Sequence, residues 1–563
     1  MDYKQLIAQN IKIEGFEAED VYSFIEVPPT KEVGDYALPC FKFSRALRKA
    51  PPMIAKDLAE NFPKVEGISS VEAVGGYLNF RLDRSGFIGG VLQRVLDEGE
   101  LYGSSKIGEG KTVCLDYSSV NIAKPFHIGH LSTTVIGAAL YRIYKFLGYN
   151  TVGINHLGDY GTQFGKLIYA FKTWGDRAVV DQKGLEELTR LYVLYHEVAE
   201  KTPEIDDIAR SYFKKIEDGD KECVELFEYF KAITLKEIDK IYKLLDVQFD
   251  SYAGESFYND KMQPVVDELK EKGLLIESQG AQVVDLEEYG MPPCIILRSD
   301  GASLYATRDM AAAYYRKNTY DFDKCLYVVA YQQNLHFQQI FKVLELLGKP
   351  WAKDMVHVAY GMVSLESGSM STRKGKVVLL EDVLSRCIQK ALDIIEEKNP
   401  NLENKHETAK QVGVGAAVFG MLYNNKIKDV VFSYDKVLNF DGETAPYCQY
   451  TVARCNSVIA RAKDINAAYD LSRIDVNEQE FAVCSLLQTF PDVVLSAAEK
   501  YEPCYITRFA VDLAKAFNKF YFDCKIITDD DNLTAYRVAI TKCARQALKT
   551  ALKLIGVGTP EKM

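Results

Sequence analysis

Residues 112–148 read TVCLDYSSVNIAKPFHIGHLSTTVIGAALYRIYKFLG, a short apolar strand followed by a polar loop and a long helix. The strand ends at Asp116, and Gly148 indicates the end of the helix. Lys124 lies in the loop, and His127 and His130 stand where the helix begins. A helix N-terminus offers unpaired N–H groups and positive partial charge to an anion. The stretch therefore predicts a nucleotide-phosphate site.

The tetrapeptide HIGH at residues 127–130 suits such a site for chemical reasons. Both imidazoles can donate to phosphate oxygens, and Gly129 has no side chain, so a nucleobase can approach the backbone closely. Short matches of this kind arise by chance. The strand, loop and helix around this one make it specific, because a purely structural turn would need neither two histidines nor a lysine.

Beyond this stretch, strands and helices alternate along the chain. The segments NTVGIN, CIILRS, KCLYVVA and MVHVAYGMV are short, apolar and rich in β-branched residues, with helical stretches between them. This pattern predicts a parallel sheet with crossover helices, whose ligands bind beyond the C-terminal strand ends. We expect an α/β multidomain protein with three parts: a small α+β domain (1–105), a Rossmann-like domain (106–385) with a helical insertion at about 166–250, and a helical domain (386–563).

The composition narrows the function classes. The chain has 563 residues, with 68 basic and 79 acidic side chains and a net charge of −11, which argues against a basic coat for nucleic acids or membranes. The 12 cysteines form no CxxC pair, so neither zinc-site spacing nor a disulfide framework is indicated. The acidic N-terminus resembles no signal peptide, and no long apolar stretch predicts a membrane span. A cytoplasmic protein is expected.

A second loop, LESGSMSTRKGKVV at residues 365–378, is rich in glycine, hydroxyl and basic residues. Such a loop suits a mobile clamp on a polyphosphate. Arg373, Lys374 and Lys376 would supply the charge, and Ser371 and Thr372 would donate hydrogen bonds. Taken alone, it is equally compatible with a solvated basic loop.

Together the two motifs resemble the HIGH and KMSKS signatures of class I aminoacyl-tRNA synthetases. The segments NIAKPFHIGH, NHLGDYGTQFG, SLYATRD, QQNLHFQQ, SMSTRKGKVV, GETAPYCQY and GTPEKM match the arginyl-tRNA synthetases in order. The resemblance extends from the N-terminal unit to the last residue. It implies an arginine–tRNA ligase, which makes arginyl-adenylate from L-arginine and ATP and then transfers arginine to the 3′ end of its cognate tRNA. It also implies a monomer that needs its tRNA even for the activation step.

The resemblance implies a set of residues for each ligand. ATP, brought in with Mg²⁺ and without any structural metal on the protein, would be bound by His127, Gly129, His130, Met370, Ser371, Arg373 and Lys374. The catalytic groups would be Lys124, His127, His130 and Lys374. Arginine would be bound by Asp116, Ser119, Asn121, His130, Glu255, Tyr305, Asp309 and Gln333. His156 and His336 fall in matching segments without an assigned role.

Two positions depart from the family pattern. Ser132 stands where a basic residue is usual, and Ser369 stands where lysine is frequent. The resemblance implies that Lys124 takes the place of the second signature lysine. The phosphate clamp is thus expected to hold one charge fewer than in many relatives.

The tRNA would contact both ends of the chain. By resemblance, the N-terminal domain meets the outer corner of the tRNA, and the all-α C-terminal domain reads the anticodon. The candidate residues are Tyr77, Asn79, Ala445, Tyr447, Gln449, Tyr450 and Arg454. The alternatives are that Tyr77 packs inward from its strand and that Tyr450 and Arg454 pack in the core. A basic helix face with Lys542, Arg545, Lys549 and Lys553 is either solvated or contacts phosphates.

Three other functions compete with the ligase. A catalytically silent tRNA-binding paralogue is supported only by Ser132 and Ser369. Other nucleotidyltransferases with a HIGH motif are usually small and would not need the long helical region after the clamp. A cysteine-specific synthetase normally binds zinc through cysteine and histidine, and the scattered cysteines here do not support that.

Overall fold

The structure, a computed structural model, describes residues 3–30, 32–124, 126–298, 305–366, 378–462 and 468–563. The chain forms two compact units. The first contains residues 1–102, 457–489 and 515–547, and the second contains residues 103–456, 490–514 and 548–563. Helices of the C-terminal region thus contribute to both units. The division at residues 105 and 385 drawn from the sequence stays a prediction.

The first unit begins with a small α+β layer. Its elements are α1 (Tyr3–Gln9), α2 (Ala18–Phe24), β1 (Tyr36–Pro39), α3 (Ser44–Leu47), α4 (Pro51–Asn61), β2 (Ile68–Val74), β3 (Tyr77–Leu82) and α5 (Arg84–Glu98). The sheet is antiparallel with order β1-β3-β2. Its inner face packs on the helices through an apolar core that includes Ile7, Val21 and Phe80. α4 begins at Pro51 and Pro52, as expected from the preference of proline for the first turn of a helix.

The stretch VEAVGGYLNFRLD is a hairpin. Val74 pairs with Tyr77 across the turn, and Gly75 in that turn has φ +60°. Backbone in this region favours glycine, because a Cβ would clash with the neighbouring carbonyl. Gly75 therefore permits the chain reversal that divides the segment into β2 and β3.

The second unit opens with the strand–loop–helix stretch that the sequence predicted. Its elements are β4 (Thr112–Asp116), α6 (Gly129–Phe146) and β5 (Asn150–Ile154). α6 ends just before Gly148, which has φ +86°. Gly137 lets this helix lie close to the strand, since a Cβ there would be 2.2 Å from the ring of Tyr117.

Five helices follow in the region predicted as a helical insertion. They are α7 (Thr162–Trp174), α8 (Arg177–Lys183), α9 (Leu185–Ala199), α10 (Ile205–Glu217) and α11 (Lys221–Leu244). α7, α9 and α11 bury apolar residues at helical spacing, among them Phe164, Leu188 and Phe230. The insertion therefore has its own packed interior.

The chain then returns to the sheet. The elements are α12 (Gln263–Glu271), β6 (Leu275–Ser278), β7 (Ala281–Val284), β8 (Cys294–Leu297), α13 (Tyr305–Tyr320), β9 (Lys324–Tyr327), α14 (Asn334–Leu346), β10 (Met355–His357) and β11 (Val363–Leu365). Four strands form the predicted parallel sheet, in the order β10-β9-β4-β5. Cys114, Cys325 and Leu344 lie in its core.

One strand prediction was wrong. CIILRS was assigned to the parallel sheet, but β8 pairs with β7 in a separate antiparallel sheet of order β6-β7-β8. A run of four apolar residues indicates a buried strand without indicating the direction of its neighbour. The segment MVHVAYGMV also gives only β10 to the parallel sheet, because its end belongs to β11, which pairs with β12 (Val430–Phe432).

The rest of the described chain is mainly helical, as predicted. Its helices are α15 (Leu380–Lys398), α16 (Lys405–Leu422), α17 (Tyr434–Val437), α18 (Ala445–Arg461), α19 (Glu478–Glu499), α20 (Cys504–Asp523) and α21 (Asp531–Leu554). Lys549 on α21 pairs with Glu561 at 3.5 Å, and Lys542 and Arg545 are half-buried. A phosphate-contacting role for this basic face stays a prediction.

Among the residues that the structure describes, α19 is long and apolar enough to cross a membrane, judged by length and composition alone. The sequence predicted no such span. Core helices pass the same criteria, and α19 carries the buried Glu480, which pairs with Arg537 at 2.7 Å. A buried ion pair is typical of a helix packed within protein, so α19 is weak support for a membrane span.

Candidate active site

The loop after β4 has an unusual backbone. Ser118, Ser119 and Ala123 have φ values of 69°, 44° and 59°. Non-glycine residues rarely adopt this region, and they keep it only where surrounding contacts impose it. The contacts come partly from α6, where Thr133 Oγ1 accepts from Ser118 N at 3.0 Å.

The insertion supplies the remaining support for this loop. Tyr242 on α11 hydrogen-bonds through its hydroxyl with Ser118 Oγ at 2.7 Å and accepts from Asn155 Nδ2 at 2.8 Å. Thr234 Oγ1 accepts from Ala123 N at 3.1 Å. No local sequence signal indicates a role for these residues, since their partners lie 87 to 124 positions away. α11 thus fixes the loop that carries Lys124.

The two histidines at the start of α6 are linked through the backbone. Gly129 N donates to His127 Nδ1 at 3.0 Å, and His127 N donates to His130 Nδ1 at 3.1 Å. Because both Nδ1 atoms accept, the ring proton of each imidazole lies on Nε2. Burial lowers the pKa of His127, and burial together with His127 lowers that of His130 to about 3. Near neutral pH this site therefore holds two neutral Nε2–H donors.

The second motif ends beside these histidines. Val378 O accepts from Ile128 N at 3.2 Å, and Leu380 N donates to Phe126 O at 2.9 Å. His127 and Leu379 form an antiparallel bridge. Residues 378–380, which follow the basic residues of the second motif, are thus fixed against the HIGH segment. The predicted residues Ser369, Met370, Ser371, Thr372, Arg373, Lys374 and Lys376 lie outside the described residues.

Lys124 and Ser132 complete the phosphate side. Lys124 is half-buried; burial lowers the pKa of its ammonium, and the charge of Glu255 opposes this. Ser132, where the family pattern has a basic residue, is buried within α6. In this chain that position presents no charge to an anion.

A chain of side chains joins the predicted arginine-binding carboxylates. Arg316 Nη2 donates to Asp116 Oδ2 at 2.7 Å and lies 3.4 Å from His156 Nδ1. His156 Nε2 lies 3.8 Å from Asp309 Oδ1. Ser119 Oγ donates to Asp116 Oδ1 at 2.7 Å. Both oxygens of Asp116 therefore have partners within the protein.

Asp309 has a different environment. His336 Nε2 donates to its Oδ2 at 2.6 Å. Burial is the largest single effect and raises the pKa of Asp309, but the hydrogen bond from His336 and the charges of His156, His336 and Arg316 together outweigh it and hold that pKa below its usual value. Asp309 is thus kept as a carboxylate.

Glu255 is the third carboxylate of the site. Arg308 Nη1 lies 3.5 Å from its Oε2, and the same guanidinium stacks 4.3 Å from the ring centre of Tyr160. Burial raises the pKa of Glu255 to about 7, against the opposing charges of Arg308 and Lys124. Near neutral pH this carboxyl is therefore only partly ionised.

The loop that carries Glu255 is held by a buried acid. Asp159 is 1% exposed and accepts from Lys231 Nζ at 2.7 Å and from Ser256 N and Oγ at 2.8 Å each. Glu255 N donates to Leu157 O at 2.9 Å. Lys231 lies on α11, so the insertion also supports the carboxylate side of the site.

Three of the predicted arginine ligands, Tyr305, Gln333 and Asn121, are exposed. Tyr305 is 66% exposed at the start of α13, four residues before Asp309 on the same helix. The structure thus brings the three carboxylates together and leaves these polar side chains open to solvent.

The residues predicted to contact tRNA differ in their exposure to solvent. Tyr77 is 38% exposed, and its ring packs 5.3 Å from that of Phe41, whereas Asn79 is 4% exposed. Tyr77 therefore does not pack fully inward from its strand, whereas Asn79 does. A buried Asn79 side chain does not fit direct contact with a base in this conformation.

In the second unit, Ala445 and Gln449 are fully buried on one face of α18. The Gln449 amide donates to Gln411 O at 3.1 Å and to Gly558 O at 2.6 Å, so it holds the C-terminal segment and does not present its amide to a nucleotide. Tyr450 is 43% exposed with the Arg454 guanidinium 5.0 Å from its ring centre. Core packing therefore does not describe Tyr450. Tyr447 is half-buried beside Thr444, which lines a separate cavity of about 160 Å³ against α16 and β12.

Three family models match the chain. They are the arginyl tRNA synthetase N-terminal domain at residues 1–82, the catalytic domain of class I (R) tRNA synthetases at residues 91–434, and the DALR anticodon-binding domain at residues 448–563. They confirm the predicted fold class: a small N-terminal domain, a parallel-sheet catalytic domain and a helical anticodon-binding domain.

Relatives match from end to end. The chain is 51% identical to an arginine–tRNA ligase of Alkaliphilus metalliredigens and 53% identical to one of Clostridioides difficile, each over all of both chains. The arginyl-tRNA synthetase structure from Thermus thermophilus matches with a TM-score of 0.83 and 26% identity, over all of this chain and 99% of that one. These findings and the HIGH geometry agree, and the chain belongs to the arginyl-tRNA synthetases, a family of class I aminoacyl-tRNA synthetases.

Proposed function

We propose that this chain is an arginine–tRNA ligase. It activates L-arginine with ATP, releasing pyrophosphate, and transfers arginine from the adenylate to the 3′ end of its cognate tRNA. The observation that carries the proposal is the full-length match to arginine–tRNA ligases at more than half identity. We further propose a monomer that acts in the cytoplasm.

Activation needs no protein nucleophile. The carboxylate of arginine attacks the α-phosphorus of ATP, and pyrophosphate leaves, so the enzyme contributes position and charge stabilisation. In our proposal, His127 and His130 donate from Nε2 to the phosphate oxygens. The α6 N-terminus and Lys124 add positive charge. Neutral imidazoles suit this role, because each keeps its donor proton fixed by the backbone bond at Nδ1.

The second motif would close on the opposite side of the triphosphate. Its groups are Met370, Ser371, Arg373 and Lys374. The pairing of Val378 and Leu380 with the HIGH segment supports this, since it holds one end of the loop next to the histidines. Mg²⁺ would enter as part of the ATP complex, through phosphate oxygens and water.

Arginine would be recognised by charge at one end and by hydrogen bonds at the other. Asp309 and Glu255 would receive the guanidinium, which pairs well with carboxylates. Ser119 and Asn121 would hold the amino-acid backbone groups beside His130. Tyr305 and Gln333 would complete the pocket. Both carboxylate oxygens of Asp116 already pair with Arg316 and Ser119. Asp116 would therefore act on arginine mainly through the electrostatic field of its ion pair.

For tRNA, we propose that the exposed aromatic side chains make the direct contacts. Tyr77 would stack on an unpaired base at the outer corner, and Tyr450 with Arg454 would bind an anticodon base, with Tyr447 nearby. Base stacking on an aromatic ring is worth about 1–3 kcal/mol. Asn79, Ala445 and Gln449 would support these surfaces from beneath.

Arginine-dependent exchange of pyrophosphate into ATP, with and without arginine tRNA, tests the proposal. We expect exchange only when tRNA is present. Exchange without tRNA would keep the ligase and contradict the coupling between tRNA and activation. No exchange in either condition, from folded protein, would contradict the ligase and favour the silent paralogue.

The pH dependence of arginine use provides a further prediction. A guanidinium binds the ionised form of Glu255, whose pKa is raised to about 7. Below that pH the protonated form dominates, so arginine binding must first release a proton. We expect kcat/KM for arginine to rise about tenfold from pH 6 to pH 8. The groups that act on Glu255 are Arg308, Asp309, Asp159 and Lys124.

The control is Glu255→Gln, which cannot ionise. Its kcat/KM for arginine is expected to be low and to vary little over the same pH range, with the KM for ATP measured in parallel. An equally steep rise in Glu255→Gln would contradict the assignment of this pH dependence to Glu255.

A further inference from the structure

The three carboxylates of the site have unequal internal partners. Asp116 pairs with Arg316 at 2.7 Å, and Glu255 pairs with Arg308 at 3.5 Å. Both arginines are buried, so each places a full positive charge beside its carboxylate. Asp309 instead contacts two histidines, His336 and His156. Of the three, Asp309 thus keeps the most negative charge available to an incoming cation.

His336 is placed to fix the orientation of Asp309. It lies in the first turn of α14, and Asp309 lies in the second turn of α13. Nε2 of His336 is 2.6 Å from Oδ2 of Asp309, a short hydrogen bond between helices that are separate in the chain. His156 Nε2 lies 3.8 Å from Oδ1 of Asp309, beyond hydrogen-bond distance.

This arrangement has a chemical advantage over a lysine or arginine partner. An imidazole N–H donates to one carboxylate oxygen without requiring a permanent charge. The carboxylate is held in one rotamer, and its second oxygen can still accept from a guanidinium. A fixed cation would compete with substrate arginine for the same oxygens, as Arg316 does at Asp116.

We propose that His336 is a positioning residue for arginine: its Nε2–H holds Oδ2 of Asp309 so that Oδ1 is available to the substrate guanidinium. This inference rests on the proposed function, in which Asp309 binds that guanidinium. It adds a residue that never touches the substrate and acts only through Asp309.

The first test is His336→Leu, which removes the donor but keeps an apolar side chain at the helix start. We expect the KM for arginine to rise about 10- to 100-fold, the usual effect of losing a hydrogen bond to a charged group. kcat at saturating arginine and the KM for ATP should change less than about threefold, since the bond acts on binding. His336→Gln, whose Nε2 amide donates at a similar reach, should restore the KM for arginine to within about threefold.

His357→Gln provides the matched control. His357 stacks 4.5 Å from the ring of Phe337, the neighbour of His336, and its Nε2 lies 2.9 Å from Val329 O. It is a half-buried histidine of the same region, and its partner is a backbone carbonyl instead of Asp309. Its replacement should leave the KM for arginine unchanged. An increase as large as in His336→Leu would indicate general loosening and overturn the proposal.

Asp309→Asn separates the positioning role from the proposed function. If Asp309→Asn raises the KM for arginine and adding His336→Leu raises it no further, the two residues act as a unit, as proposed. If Asp309→Asn raises it and His336→Leu alone does not, the positioning role is overturned while Asp309 keeps its function. If neither variant changes the KM in an enzyme that performs the exchange, Asp309 does not bind the guanidinium, and the positioning role falls with it.

Discussion

Replacing Arg316 with methionine is expected to lower the free energy of unfolding of the parallel-sheet unit by about 3–5 kcal/mol at pH 7. Arg316 and Asp116 are 1% and 5% exposed and form an ion pair at 2.7 Å. Removing one partner leaves the other charge buried without compensation, and that costs more than the pair itself contributes. Arg316→Lys keeps the charge but loses the planar guanidinium, so an intermediate loss is expected.

The chain provides a local probe for this measurement. It has two tryptophans, and Trp351 packs 5.7 Å from Tyr314 and 5.9 Å from Phe322, on either side of Arg316 in the sequence. In a Trp174→Phe background, the fluorescence of Trp351 during urea unfolding reports on this part of the second unit. The slope with urea concentration should stay constant if only stability changes.

The double variant Asp116→Asn with Arg316→Met is the decisive control. It removes both buried charges, so much of the lost stability should return even though activity stays low. A loss below about 1 kcal/mol in Arg316→Met alone would show that Asp116 finds another partner, or water, when its arginine is absent. In that case the ion pair would not hold the site together.

The sequence could predict the elements whose signals are local. β4 and α6 follow from an apolar strand, a polar loop and a glycine stop, and all of these lie within residues 112–148. The prolines at the start of α4 act in the same way. These features depend on backbone preferences and side chains a few positions apart, which a single sequence displays directly.

The sequence could not indicate partners that lie far apart in the chain. β8 was placed in the wrong sheet because its pairing depends on β7, whose own apolar pattern is weak. The bridge between His127 and Leu379 joins segments about 250 positions apart. Arg316 follows the apolar run AAAYY, but nothing in the sequence joins it to Asp116.

The same limit explains why some of the predicted binding residues are buried or already have partners in the structure. The resemblance supplied residue types with the right chemistry, but not their burial or the partners they already have. Helical spacing does indicate which of these residues share a face. Ala445 and Gln449 are four apart and share the buried face of α18, whereas Tyr450 and Arg454 share a more exposed face. Asn79 gave no such signal, because its burial depends on the pairing of β3 with β1.

The two signature histidines carry the largest expected effect on the reaction. His127→Ala and His130→Ala should each lower kcat for pyrophosphate exchange by about 10²–10³, the usual loss for one donor to developing charge in a transition state. The exposed His406→Ala is the matched control and should leave kcat unchanged. His130→Gln keeps a donor near the position of Nε2 and should lose less than His130→Asn, whose shorter amide reaches only the position of Nδ1.

The pH profile of kcat tests the protonation state of these donors. Burial lowers the pKa of both imidazoles, that of His130 to about 3, so His130 should be neutral throughout pH 6–8. With arginine saturating, kcat should therefore show no rise toward pH 6, although kcat/KM for arginine falls there through Glu255. A kcat that increases as pH drops, and loses that increase in His130→Gln, would mean that imidazolium is the active form. The backbone bonds from Gly129 and His127 to the two Nδ1 atoms argue against that outcome, because protonation at Nδ1 would break both of them.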